Sequence, residues 1–416
     1  MRGTIEIDDL ANPVFSEAQR AALDYGKTLS IALNRDSILA EAEQRTGLNE
    51  WGAEDFLVRL DLLCEEWNND DALTNLGRLS LRNKLVQHAS SRLLIQDQFV
   101  HHPEIHDTAI EKPIIVVGLP RSGTTHLLNL MAADTRLRSL PLWESFEPVP
   151  LPSEASFGGD VDPRYQRCAE AWSNMQSMVP HLAAMHPMNP DHIHEELELM
   201  GPNFGSYNYE WLSHSPRWRD HYYAEDQTYQ YEYMRDVLKL LLWQQRTTDR
   251  PTRWVLKCPQ HLEQLPVLHK VFPDATIAIT HRDPVAVITS IVYMLAYGQR
   301  MNRKHILMQE LLDYWTDRVE HLLRASIEDR THLPAAQCID IPFRQLIEDD
   351  IGWVERIYQT AELPMTNSAR DAFQRFIVQH QSDYGRVAYD LKAQFGVDPE
   401  SLRERFAFYY AAFPAA

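Results

Sequence analysis

Pro113-Ile114-Ile115-Val116-Val117-Gly118-Leu119-Pro120-Arg121-Ser122-Gly123-Thr124-Thr125 is the stretch whose reading decides the fold. The β-branched run Ile114–Val117 suits a short strand buried on both faces. Gly118 and Gly123 then repeat the spacing G-x-x-x-x-G, and an apolar-periodic helix follows through Leu127, Leu128, Leu130 and Met131. A strand, a glycine loop and a helix in that order offer backbone N–H groups at a helix start, where they and the helix dipole suit an anion. A nucleotide P-loop continues with Lys and Ser/Thr. Here Thr124 and Thr125 follow the second glycine, and the cation sits inside the loop as Arg121. The missing lysine weakens an ATPase or GTPase reading, because that residue reaches the β- and γ-phosphates. A sulfuryl donor carries less charge than a terminal phosphate and needs no metal. Arg121, the hydroxyls of Ser122, Thr124 and Thr125, and the N–H groups from Gly123 onward suffice for it.

Two further strand–helix units lie downstream. Arg253–Lys257 reads as a strand before a Leu-rich helix over Gln260–Val271. Thr276–Thr280 reads as a strand that feeds Asp283-Pro284, a good helix start, and a helix over Val285–Tyr297. Cys338–Ile341 is a fourth strand candidate. Alternation of this kind predicts an α/β fold, a P-loop-like parallel sheet flanked by helices. Residues 1–110 read as a helical N-terminal subdomain, with apolar residues at helical spacing in Ser37–Arg45, Ala53–Trp67 and Ala72–Gln96 and no convincing strand. Residues 111–416 form the α/β domain. An insertion at about 143–252, rich in Pro, Met and aromatics from Phe157 and Trp172 to Trp211, reads as helices and loops that roof the sheet.

The chain has 416 residues, enough for one large α/β domain with an appendage. A formal net charge of −19 counts against nucleic acid and anionic lipid as partners. An anionic ligand therefore needs a local pocket of cations and N–H groups. Cys64, Cys168, Cys258 and Cys338 form no C-x-x-C pair, so neither a zinc ribbon nor a disulfide framework is expected. The start MRGTIEIDDLANP lacks the basic and apolar regions of a signal peptide, and no apolar run reaches spanning length. A reduced, cytoplasmic protein is the simplest reading, with no integral membrane segment. The sequence is compatible with a homo-oligomer.

Three more segments bear on chemistry. Thr280-His281-Arg282-Asp283-Pro284 ends a strand, and Ser290 follows Arg282 by eight residues, two turns into the helix. A guanidinium fork and a hydroxyl in that arrangement suit a phosphate. Lys257-Cys258-Pro259-Gln260-His261-Leu262 places a cation at another strand end with a histidine four residues on. The cluster His186, His192, His194, Glu195, Glu196 lacks the H-E-x-x-H spacing of a zinc site and reads as an acceptor-pocket wall or a solvated helix start, so no metal is expected.

The loop Gly118–Thr125 and the pair Arg282/Ser290 resemble the PAPS-dependent sulfotransferases, whose donor is 3′-phosphoadenosine 5′-phosphosulfate. The match is nearest the bacterial branch related to tyrosylprotein sulfotransferases, which carries Arg in the loop where most cytosolic members carry Lys. The resemblance runs from about Pro113 to the C-terminus and includes Tyr384-Gly385-Arg386. It implies that the loop residues Arg121, Ser122, Gly123, Thr124 and Thr125 hold the 5′-phosphosulfate, that Arg282 and Ser290 hold the 3′-phosphate, and that Arg386 belongs to the donor site. Arg121 and Lys257 supply positive charge to the reacting centre. The cytosolic pattern is Lys-x-His-Leu, and His261 departs from it by its spacing. Two groups compete for the general base. One is His261; the other is Glu144, which falls where the tyrosylprotein-like branch carries its catalytic glutamate. The expected function is sulfuryl transfer to a hydroxyl on a small-molecule acceptor, an apolar alcohol or phenol, with release of PAP. The alternatives are a P-loop kinase or NTPase and a non-catalytic PAP-binding protein.

Overall fold

Ile114, Ile115, Val116 and Val117 have no exposed surface, and the fold is organised around them. The computed structural model describes residues 3–154, 159–245, 250–379 and 385–415. Its strands are β1 (Thr4–Ile5), β2 (Ile114–Gly118), β3 (Leu137–Arg138), β4 (Arg253–Lys257), β5 (Thr276–His281), β6 (Cys338–Pro342) and β7 (Arg386–Val387). β2 to β6 make one parallel sheet in the order β3-β4-β2-β5-β6. β1 and β7 pair apart from it as a two-stranded parallel ribbon. Central β2 therefore has neighbours on both edges and side chains packed on both faces, as its composition requires.

Parallel strands need crossovers, and helices supply them. Thr124–Ala132 follows β2, Leu265–Val271 joins β4 to β5, and Pro284–Gly298 with Met308–Asp329 joins β5 to β6. The helix expected over 260–271 is broken into a 3-10 turn, Pro259–Glu263, and the helix Leu265–Val271. Pro259 and Pro266 each lack an N–H and sit in a first turn, so each starts a new segment. The crossover that leaves β2 runs toward β3, and the one that leaves its neighbour β5 runs the other way toward β6, which makes the carboxyl ends of β2 and β5 the switch point where α/β sheets bind ligands.

The helices Glu17–Lys27, Arg35–Thr46, Phe56–Asn68 and Asn75–His101 precede the sheet. Leu60, Trp67 and Leu85 from them share a core with Phe204, Tyr209 and Trp218 of the insertion. A second link is ionic. Arg318, with no exposed surface, donates to Glu210 at 2.9 Å and to both oxygens of Glu263 at 2.6 Å. It ties the helix Met308–Asp329 to the insertion and to the turn after β4.

Candidate active site

The glycine loop is shaped by what surrounds it. A Cβ on Gly118 would lie 2.0 Å from Thr280 Oγ1, so the strand end accepts no side chain. Arg121 (φ +67°) and Gly123 (φ +86°) both take left-handed backbone, which turns the chain into the helix Thr124–Ala132. Ser122 is fully buried, and its hydroxyl lies 2.5 Å from the Leu119 carbonyl and 2.7 Å from Thr280 Oγ1. It fastens the loop to β5. Gly123 is the N-cap and brings no side chain, so no side-chain cap occupies the first-turn N–H groups.

Two guanidinium groups meet at this loop. Arg121 Nε donates to Ser290 Oγ at 3.0 Å, and its Nη1 donates to the Met185 carbonyl. Arg282 donates to the Arg121 carbonyl, with its guanidinium 4.2 Å from the Phe343 ring centre. Burial and the like charge of Arg121 hold Arg282 below its ordinary pKa. Neither arginine forms an ion pair with a carboxylate among the described residues. Uncompensated cations beside a helix N-terminus make a site for a multiply charged anion.

Lys257, at the end of β4, is 1% exposed. Its ammonium is ion-paired with Glu195 and donates to Thr125 Oγ1 at 3.2 Å. Its backbone N–H donates to Glu196 Oε2 at 2.8 Å. The other oxygen of Glu196 lies 2.7 Å from His261 Nε2, and the Tyr231 hydroxyl lies 2.8 Å from Nδ1. His261 has no exposed surface, and both of its ring nitrogens are occupied.

One cavity of about 1380 Å³ covers this region. Single-ligand pockets run to about 300–1,000 Å³, so there is room for a donor and an acceptor together. Arg121, Gly123, Thr124, Thr125, Lys257 and Arg282 line it. Ser122 and Ser290 stand behind that wall, bonded to Thr280 and Arg121. Glu144, His261 and Arg386 are not brought to it. Glu144 accepts from Arg138 at 2.5 Å, and Arg138 stacks 4.7 Å from the Trp254 ring centre. Arg386 is exposed on β7, opposite Thr4. Tyr384 and Phe157 lie outside the described residues.

The carboxylate that does reach the cavity beside Lys257 is Glu195. The sequence places it in a cluster read as an acceptor-pocket wall or a solvated helix start and not as a base, because its nearness to Lys257 arises only when the insertion folds over the sheet. The neighbouring rings of His186 and His194 also line the cavity. Burial, with the cations and the other histidines around it, holds His186 well below its usual pKa; burial lowers His194 as well. Of the insertion's apolar residues, Met175, Met178, Met188 and Trp211 line the cavity, whereas Met185, Phe204, Tyr207 and Tyr209 are buried in the core.

A family model described as "Sulfotransferase family" matches residues 113–367. The protein named omega-hydroxy-beta-dihydromenaquinone-9 sulfotransferase Stf3 of Mycobacterium bovis is 25% identical over 340 residues, covering 76% of this chain and 84% of its own. The solved sulfotransferase STF1 of Mycobacterium tuberculosis H37Rv is 28% identical with a TM-score of 0.77, covering 90% of this chain and 98% of that one. STF9 of Mycobacterium avium superimposes with a TM-score of 0.80 at 24% identity, covering 92% and 98%.

Proposed function

The chain belongs to the sulfotransferase family, and on that premise we propose that it moves a sulfuryl group from PAPS to a hydroxyl on an apolar small-molecule acceptor. The observation that carries the donor is the convergence of Arg121, Arg282 and the uncapped helix start at Thr124, none of them neutralised by a carboxylate among the described residues. A donor with a phosphosulfate and a second phosphate suits two separated cationic points. The loop N–H groups, Thr124 and Thr125 take the phosphosulfate. Arg282 takes the 3′-phosphate, with Ser290 holding Arg121 in line. Phe343, against Gly123 and Arg282, offers the adenine a face. No step in this scheme calls on a metal.

Transfer forms a bond from the acceptor oxygen to sulfur while the bond from sulfur to the 5′-phosphate oxygen breaks. The electron pair of that bond leaves with PAP, and the hydroxyl proton passes to Glu195. Lys257 lies between Thr125 and Glu195, so it can meet charge on the leaving oxygen and on the sulfuryl oxygens. His261 acts one step back, by fixing Glu196 under the backbone of Lys257. The methionine-rich wall supports an apolar acceptor. The mycobacterial relative named for a hydroxylated menaquinone derivative supports a lipid-like one. Among the described residues no helix is long and apolar enough to cross a membrane, and we propose the cytoplasm as the site of action.

The test is a thermal-shift titration with PAP, beside ATP plus Mg²⁺. At about a hundred times its dissociation constant, a ligand specific for the folded state adds about 2.7 kcal/mol. Stabilisation by PAP and not by ATP supports the donor site. Stabilisation by ATP with Mg²⁺ and silence with PAP sinks it in favour of an NTPase.

A further inference from the structure

The helix Asn75–His101 presents an unexpected face to the cavity. Ser80, Asn83, Lys84, Gln87, Ser90 and Ser91 recur at the spacing of one helix face, the pattern that usually marks a solvated surface. All six line the cavity, between Leu76 and Leu94. The stripe passes from exposed at Ser80 and Asn83 to buried at Ser90 and Ser91, so it follows the cavity inward. Ser90 is 5% exposed, and its hydroxyl has no partner among the described residues. Met175, Met178, Trp211, Met294 and Leu295 give the cavity an apolar wall as well.

Midway along the stripe stands a charged pair. Lys84 Nζ donates to Glu198 Oε2 at 2.9 Å and lies 4.1 Å from the Phe146 ring centre. Glu198 also accepts from Asn208 Nδ2 at 2.7 Å. Both charges are nearly out of water, with side-chain exposures of 14% and 4%. A buried pair costs desolvation that an apolar pair avoids. Lys84 keeps donor hydrogens beyond the one it gives to Glu198. Glu198 stands one turn from Glu195, joined by the bond from its N–H to the Glu195 carbonyl.

We propose that the acceptor is an amphipathic alcohol that carries, a few carbons from the hydroxyl to be sulfated, a second oxygen function read by Lys84 and Glu198. Its polar edge lies on the serine stripe and its apolar part on the methionine wall. This rests on the sulfotransferase reading above and narrows its acceptor.

The experiment compares 1-dodecanol with 1,4-dodecanediol as acceptors for PAPS, with PAP-induced thermal stabilisation measured on the same protein. The diol is expected to have the higher kcat/KM by about ten- to a hundredfold, the worth of one hydrogen bond to a charged group. The double variant Lys84→Met/Glu198→Gln, which orphans neither charge, loses that preference and keeps turnover of 1-dodecanol. Equal rates for the two acceptors in the unaltered enzyme overturn the inference, whatever the variant does. Turnover of neither acceptor, with PAP still stabilising the fold, also overturns it and leaves the donor reading standing. Failure of PAP to stabilise the fold overturns both.

Discussion

Lys257, at the end of β4, forms an ion pair with Glu195 of the insertion and reaches Thr125 of the glycine loop with the same ammonium. The base and the cation of the proposed transfer thus hold one another before either substrate arrives. Glu195→Gln is expected to lower kcat by about 10²- to 10⁴-fold, the usual worth of a positioned general base. PAP affinity should stay within a few-fold. Steady-state rates beside PAP titration measure this, and an unimpaired kcat removes Glu195 from the mechanism.

The two arginines are expected to act on donor binding. Arg282→Ala removes charge-assisted hydrogen bonds worth about 1.5–3 kcal/mol each. PAP binding should weaken by at least about tenfold while the melting temperature without ligand holds, because Arg282 pairs with no carboxylate among the described residues. Unchanged calorimetric affinity would place the 3′-phosphate elsewhere.

Gly118→Ala tests the loop itself. Its new methyl meets Thr280 Oγ1 at 2.0 Å, nearer than any van der Waals contact, and Ser122 Oγ at 2.9 Å. The strand end must shift, and the loop with it. We expect loss of PAP stabilisation and a lower melting temperature together; a variant that binds PAP normally refutes the packing argument.

Buried histidines set an acid limit on stability. Burial, aided by Lys84, lowers His88 to about 4, from 6.5. The folded state therefore keeps this ring neutral where the unfolded chain protonates it. Its contribution is complete above about pH 6.5 and is lost as pH falls toward 4. His186 and His194, lowered also, act in the same direction. Melting temperature should fall between pH 6.5 and 4.5, and His88→Gln should flatten that slope. A slope identical in the variant would exclude His88 as a source.

Arg318 is a structural counterpart. Arg318→Met leaves Glu210 and Glu263 buried without their cation, at an expected cost of about 3–5 kcal/mol. Replacing all three by apolar or neutral residues should restore much of it. Urea unfolding of the single and triple variants decides, and equal stability of the two would show that the charges are solvated.

The sheet was legible because its strands are short apolar runs, two of them rich in β-branched residues, set before helical segments. Ile114–Val117, Arg253–Lys257, Thr276–Thr280 and Cys338–Ile341 all recur in the fold with at most one residue added. The two-residue strands β1, β3 and β7 were not legible, since pairs so short carry no periodicity. In the site, the loop and Arg282 could be read because each sits beside the sheet in sequence. The pairing of Glu195 with Lys257 could not, because that contact spans 62 residues and depends on how the insertion returns. The polar stripe of Asn75–His101 was hidden for a related reason. A sequence reports that a helix face is polar, not whether water or a ligand lies against it.

The sheet order also governs how the molecule is assembled. β2 and β3 are successive in the chain, yet β4 lies between them. The two cannot pair with each other on the way to this fold; they wait for a strand more than a hundred residues downstream. Until Arg253–Lys257 emerges and docks, β2 offers a fully apolar strand with both edges open. Closing that gap is slow, as non-local parallel pairing is. During synthesis, the nascent chain therefore carries an open apolar edge of the kind that favours aggregation. The lysine that ends β4 enters the molecule in the same event that covers one edge of β2, while the other edge waits for Thr276–His281.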